Sequence, residues 1–168
     1  MSITNIAIAT VTVGSGGAGT IEFTNIPQTY TDLCILVSAR SDRSLHVDDY
    51  RILFNSSSAS FSYRALLASS GTNTLSGNVN EVGVMSANTA LSSTFGNGLI
   101  YIYNYTSSSN KTYRTEAVSS NNSSSSENWI VGGLWSNTSA ITTIALDQGD
   151  GSNWLQYSTA TLYGIKNN

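Results

Sequence analysis

Between Gly132 and Ile165 the chain has little room for anything but β structure. A strand ends on Leu134-Trp135, the polar turn Ser136-Asn137-Thr138-Ser139 follows, and a Thr- and Ile-rich run occupies residues 140–146. The Gly/Asp/Asn segment 147–153 breaks that run, and a last strand is expected over residues 158–165. β-Branched and aromatic side chains suit a pleated, half-buried surface, and Gly, Asp and Asn between two such runs reverse the chain. No catalytic motif lies in this stretch.

The same punctuation runs through all 168 residues. Residues 6–13 (IAIATVTV) and 20–26 (TIEFTNI) read as two strands joined by a Gly-rich connector, 14–19, with a hairpin between them as one expected pairing. Pro27, the only proline, stops the second. Residues 30–40 carry a continuous apolar core, which suggests a strand buried on both faces near the middle of a sheet, with Cys34 as a small core residue. Residues 50–55 alternate, with Tyr50, Ile52 and Phe54 on one face. Phe61, Tyr63, Ala65 and Leu67 line the next strand. Residues 69–77 read as a loop, 78–85 as a short strand, and 86–97 as a loop or one helical turn. A strand over 98–105 places Leu99, Tyr101, Tyr103 and Tyr105 on one face, and 111–119 is its antiparallel partner. The low-complexity run 119–127 reads as a mobile loop.

About ten strands, no convincing helix and frequent turns define an all-β chain: an antiparallel β-sandwich, jelly-roll-like, with less than about a tenth helix. Leu33, Ile35, Val37, Phe54, Leu99, Ile141, Ile144 and Leu162 are the expected core. Residues 1–19 form an N-terminal strand and flexible arm, and residues 20–168 form the sandwich domain. Such an arm can leave the body and pair with a neighbour's sheet edge, which points to a homo-oligomer, a trimer in preference.

Charged residues make up 10% of the chain, against an average of about 25%. Hydroxyl- and amide-bearing side chains stand in their place, as on an extracellular or virion β-protein. The net charge is −3 and the seven basic residues are scattered, so neither nucleic acid nor an anionic membrane is an expected partner. No apolar stretch reaches the ~20 residues of a membrane span. The first twenty residues have neither a basic start nor a continuous apolar run, so no secretory leader is expected. Cys34 is the only cysteine, which excludes an intrachain disulfide and a multi-thiolate metal site.

Candidate chemistry is sparse. His46 is the only histidine and sits in the polar loop 41–49 with Asp42, Arg43, Asp48 and Asp49. Neighbours on an extended chain point apart, and no G-x-S-x-G elbow exists, so His46 reads as a solvated loop residue and no catalytic residue is assigned. Asp147, Asp150 and Asn153 offer hard oxygen ligands for Ca²⁺ at i, i+3 and i+6, but this is not the EF-hand spacing, and Asp and Gly are what turns need anyway. No metal or other cofactor is therefore expected. No pair among the ten acids stands out for glycoside hydrolysis. Trp154 follows a loop and is the best exposed aromatic for ligand or partner contact, together with Asp42, Arg43 and His46.

Several segments carry a resemblance. They are Ile26-Pro27-Gln28-Thr29-Tyr30-Thr31-Asp32-Leu33, Arg51-Ile52-Leu53-Phe54-Asn55, and Ile102-Tyr103-Asn104-Tyr105 with Thr112-Tyr113. At the C-terminal side they are Gly133-Leu134-Trp135, Asn137-Thr138-Ser139-Ala140-Ile141-Thr142, Ile144, and Ser158-Thr159-Ala160-Thr161-Leu162-Tyr163-Gly164-Ile165. In this order they resemble a family of small β-sandwich structural proteins of marine and cyanobacterial tailed phages. The resemblance implies a virion appendage: a capsid decoration or cement protein or a short head appendage, made in the host cytoplasm and carried on the virion surface. The major capsid protein or another virion protein is the implied partner. A tail-fibre tip that binds a host-surface glycan or receptor is the alternative, and a polysaccharide-cleaving enzyme a third. The family has no established catalytic residues to carry over.

Overall fold

The computed structural model describes residues 3–69, 71–120 and 126–167. These form twelve strands, and no helix occurs among the described residues. The strands are β1 (Ile3–Thr12), β2 (Ile21–Phe23), β3 (Asp32–Ala39), β4 (Val47–Phe54), β5 (Phe61–Ala68) and β6 (Thr72–Gly77). They continue with β7 (Glu81–Ser86), β8 (Gly96–Ile102), β9 (Lys111–Ser119), β10 (Glu127–Trp135), β11 (Ile144–Asp147) and β12 (Thr159–Asn167). An eight-stranded sheet has the order β1-β12-β3-β8-β9-β10-β5-β6, and a four-stranded sheet β2-β11-β4-β7 packs on it. All pairings between strands are antiparallel, so the chain is an antiparallel β-sandwich.

Period-two alternation decides which side chains meet. In β4 every second residue is buried, and Tyr50, Ile52 and Phe54 face the core. β3 and β12 send Leu33, Ile35, Val37, Ala160 and Leu162 inward, and β11 adds Ile144 and Leu146. At the centre Phe54 packs on Trp135 and Phe61, each with ring centroids 5.4 Å apart, and meets Tyr113 edge-on at 6.1 Å. Tyr113 fits because Gly133 lies beneath it: a Cβ there would stand 2.0 Å from the ring. A smaller cluster of Tyr63, Ala65, Val84, Ala117, Trp129 and Val131 fills the space under β5 and β10.

Several expectations change. β1 and β2 do not form a hairpin; β1 pairs with β12 and β2 with β11, in different sheets. β3 is central, but it is buried on one face only. Leu36 is 45% exposed and Cys34 lies on the outer face, half-buried, where burial raises its thiol pKa. Leu99 also points outward, because the register of β8 turns Ile100 and Ile102 to the core instead. β6 occupies the segment expected to be a loop. β4 starts at Val47, and of the expected 140–146 strand only residues 144–146 join a ladder, as part of β11. The 119–127 loop falls largely on residues 121–125, outside the described residues; Ser119 closes β9 and Glu127 opens β10.

Candidate functional site

The strand order brings the two polar loops, 41–49 and 147–154, to the same end of the sandwich. Arg43 is their hub. Its Nη1 donates to Asp48 Oδ1 at 2.7 Å and to Asp49 Oδ1 at 3.4 Å, and its Nε pairs with Asp150 Oδ2 at 2.9 Å. The hydrogen bond to Asp48 and the surrounding carboxylates raise the Arg43 pKa. Asp49 is pushed upward by burial, then by Glu81 and Asp48. Burial works against Asp150 as well, but hydrogen bonds from Ser152 and the charge of Arg43 outweigh it and hold its carboxyl below the ordinary value. Asp42 accepts from the backbone N (2.8 Å) and Nδ2 (3.0 Å) of Asn153. Asp147 instead pairs with Arg51 Nε at 3.0 Å. The three candidate calcium ligands thus face three different protein partners. Among the described residues no group of three or more His, Cys, Asp and Glu is arranged to hold a metal.

His46 is exposed, with Nδ1 3.1 Å from Thr89 O and 3.2 Å from Thr89 Oγ1. Trp154 requires a correction: expected at the surface, it is 0% exposed. Its backbone bridges Ala18 on one side and Ser41 on the other, and its ring packs against Tyr50 at 5.8 Å. With the Gln148 amide turned so that its oxygen faces the indole, Trp154 Nε1 donates to it at 3.0 Å. Trp154 is a plug that ties the Gly-rich connector, loop 41–49 and loop 147–154 into one body. Sequence position beside a polar loop carried no sign of this, because the burial comes from segments far away in the chain.

Two buried cations fix neighbouring loops. Arg40, 7% exposed, donates to the carbonyls of Asn88, Ala90, Leu91 and Thr94 at 2.7–3.1 Å and so holds residues 88–94. Lys111, 0% exposed, donates Nζ to Ser107 O (2.7 Å) and Ser109 O (2.5 Å). Burial lowers the pKa of both.

The opposite end carries a different construction. Ile141 N donates to Tyr105 O, and Ile26 N to Thr142 O. Gln28 Nε2 donates to both Ile26 O and Ile141 O at 2.9 Å. Asn55 Nδ2 donates to Ala140 O at 2.8 Å, while its Oδ1 accepts from the backbone N of Thr142 at 2.8 Å and of Thr143 at 3.2 Å. The Tyr105 hydroxyl donates to Pro27 O. One knot thereby closes this end, made from residues 26–30, 55, 105 and 140–143.

A third region was not legible in the sequence: the outer face of the eight-stranded sheet. Leu36, Leu99, Val118 and Ile130 surround a shallow concavity of about 610 Å³ there. A second, of about 680 Å³, lies over β9, β10, β5 and β6 and is lined by Ser62, Arg64, Ser76, Thr112, Gly132 and Leu134. Compared with known proteins, the chain matches no family model, no curated protein and no solved structure.

Proposed function

We propose that this chain is a structural protein of a tailed-phage virion, a capsid decoration or cement protein or a short head appendage, which acts by being placed on the particle surface and turns over no substrate. The observation that carries the reading is the knot. The segments that resemble phage appendage proteins are scattered in sequence, yet one part of each of four of them, residues 26–30, Asn55, Tyr105 and residues 140–142, meets there through hydrogen bonds. That parts of four separate matching segments share one hydrogen-bonded end of the sandwich is what supports the reading.

The mechanism is mechanical. A rigid sandwich with both ends tied presents fixed surfaces to a repeating lattice, where many weak contacts sum through effective concentration. The partner is the major capsid protein or another virion protein. The chain self-associates, as a trimer, through β1. This ten-residue edge strand has no charged residue, and among its residues whose side chains are described, Ile8 and Val11 are the hydrophobics packed against the main core. An antibody against the folded chain should label intact purified particles with gold, on the head rather than the tail. Absence of the chain from purified particles overturns the reading.

A further inference from the structure

The fate of the seven basic residues singles out one place on the surface. Arg40 and Lys111 are buried on backbone carbonyls, and Arg43 and Arg51 sit on aspartates. Lys166 rests over the Tyr30 ring at 5.7 Å. Two cations are left, Arg64 and Arg114, and the sheet register puts them on either side of a single glycine. Arg114 pairs with Gly132 across β9 and β10, and Gly132 pairs with Arg64 across β10 and β5. Their Cα atoms are therefore two strand spacings apart, about 10 Å. Arg64 is exposed and has no ion pair among the described residues. Arg114 lies 3.8 Å from Glu116 with both side chains more than half exposed, a contact of little energetic weight, and its guanidinium rests over the Tyr101 ring at 5.7 Å.

Beside Arg64 the floor is open. A Cβ added at Gly132 would meet nothing within 4 Å, and the concavity above holds about 680 Å³, within the range of about 300–1,000 Å³ typical of small-ligand sites. Its lining chemistry is specific. Ser62, Ser76 and Thr112 supply hydroxyls, Leu134 an apolar patch, and Arg64 a planar fork of donors. A guanidinium fork matches a carboxylate in two parallel hydrogen bonds. Hydroxyls around it suit a polyol, and the apolar patch suits the C–H face of a sugar ring. Nucleic acid fits poorly, because phosphate-backbone binding draws on many cations and this face offers two.

We propose that this outer-face concavity binds a carboxylated saccharide of the uronic-acid type. Arg64 takes the carboxylate, and Ser62, Ser76 and Thr112 take the ring hydroxyls; the Arg114 guanidinium is drawn away over Tyr101 and lines no part of the concavity. The inference does not rest on the virion reading, since it concerns the isolated chain.

The test is calorimetric titration of the purified full chain with trigalacturonate, its methyl ester and a sulfated galactose trimer. Trigalacturonate should bind, with affinity falling as salt rises, and the methyl ester should bind at least tenfold more weakly. Arg64→Ala should weaken trigalacturonate at least about tenfold, the effect of removing one charge-assisted pair. Gly132→Val should abolish binding by filling the floor. Gly132 faces outward in an ordinary strand conformation, so this variant should keep the wild-type far-ultraviolet spectrum and urea midpoint. Lys166→Ala should bind as wild type. The proposal fails if trigalacturonate does not bind, if the methyl ester binds equally well, if the sulfated trimer is preferred, or if Gly132→Val binds undiminished.

Discussion

Trp154 shows how far a residue's role can depart from its sequence surroundings. It follows a Gly/Asp loop, yet it is fully buried and bridged on both sides. Trp154→Ala should lower stability by about 3–5 kcal/mol, the cost of emptying a large aromatic site, read as the urea unfolding free energy; a loss below about 1 kcal/mol would show that the loops hold together without it. The carboxylates around Arg43 make a second, pH-dependent prediction. Asp150 has a depressed folded pKa, so its charge stabilises fully above about pH 4 and the gain is lost as pH falls through the folded value. Asp49 is shifted the other way. Its charge costs stability above the raised folded value, and the cost vanishes below about pH 4. At neutral pH Asp150→Asn should therefore melt lower than wild type and Asp49→Asn higher, and both differences should close in acid. Opposite signs at neutral pH would refute the assignment. The alternation of β4 was legible residue by residue, because Tyr50, Ile52 and Phe54 each answer to a local period. The Arg43 hub was not, since Asp48 and Asp150 are neighbours only through the pairing of β4 with β11.

At the level of elements, the loops are held by cations placed at strand ends. Arg40 follows β3 and Lys111 opens β9, and each faces carbonyls where a carboxylate would be the usual partner of a buried charge. Arg40→Ala should cost about 2 kcal/mol, since it removes the shared donor of four carbonyls, that of Ala90 in a buried bond and the other three in part-buried ones. Arg40→Lys should recover only part of this, because an ammonium cannot span four carbonyls as a guanidinium does. Hydrogen exchange should show the amides of Ala90 and Thr94, which donate to Ala87 O and Leu91 O, losing protection in both variants. Unchanged protection would mean that the loop is ordered without Arg40. Strand identity in the centre of the sheets was readable from apolar alternation, whereas β6 was not. Its sequence TNTLSG is mostly exposed and pairs with β5 alone, so no buried face marks it. The expected β1–β2 hairpin failed for a related reason. Local turn chemistry favours it, but each strand finds a distant partner whose register a local pattern does not encode.

For the whole molecule, the distribution of edges governs association. The eight-stranded sheet ends in β6 on one side and in β1 on the other. β6 is short and polar. β1 has ten residues, no charge and no proline, the profile of an edge that accepts another strand. Its connector is fastened, since Gly17 N donates to Gly14 O, Ala18 N to Trp154 O and Trp154 N to Ala18 O. Only the strand beyond it is then available for exchange, and an exchanged β1 would pair with the β12 of a neighbour as it now pairs with its own. Under the proposed self-association, the full chain should run as a trimer by light scattering. Deleting residues 1–12, the exchangeable strand alone, should give a monomer that keeps a β-type far-ultraviolet spectrum, because Val13, the fastened connector and the core strands β3, β4, β8, β9 and β10 are left in place. A truncated chain that still forms the trimer would remove β1 from the interface, and a truncated chain that unfolds would show that the fold needs β1 on its own β12 and overturn the exchange.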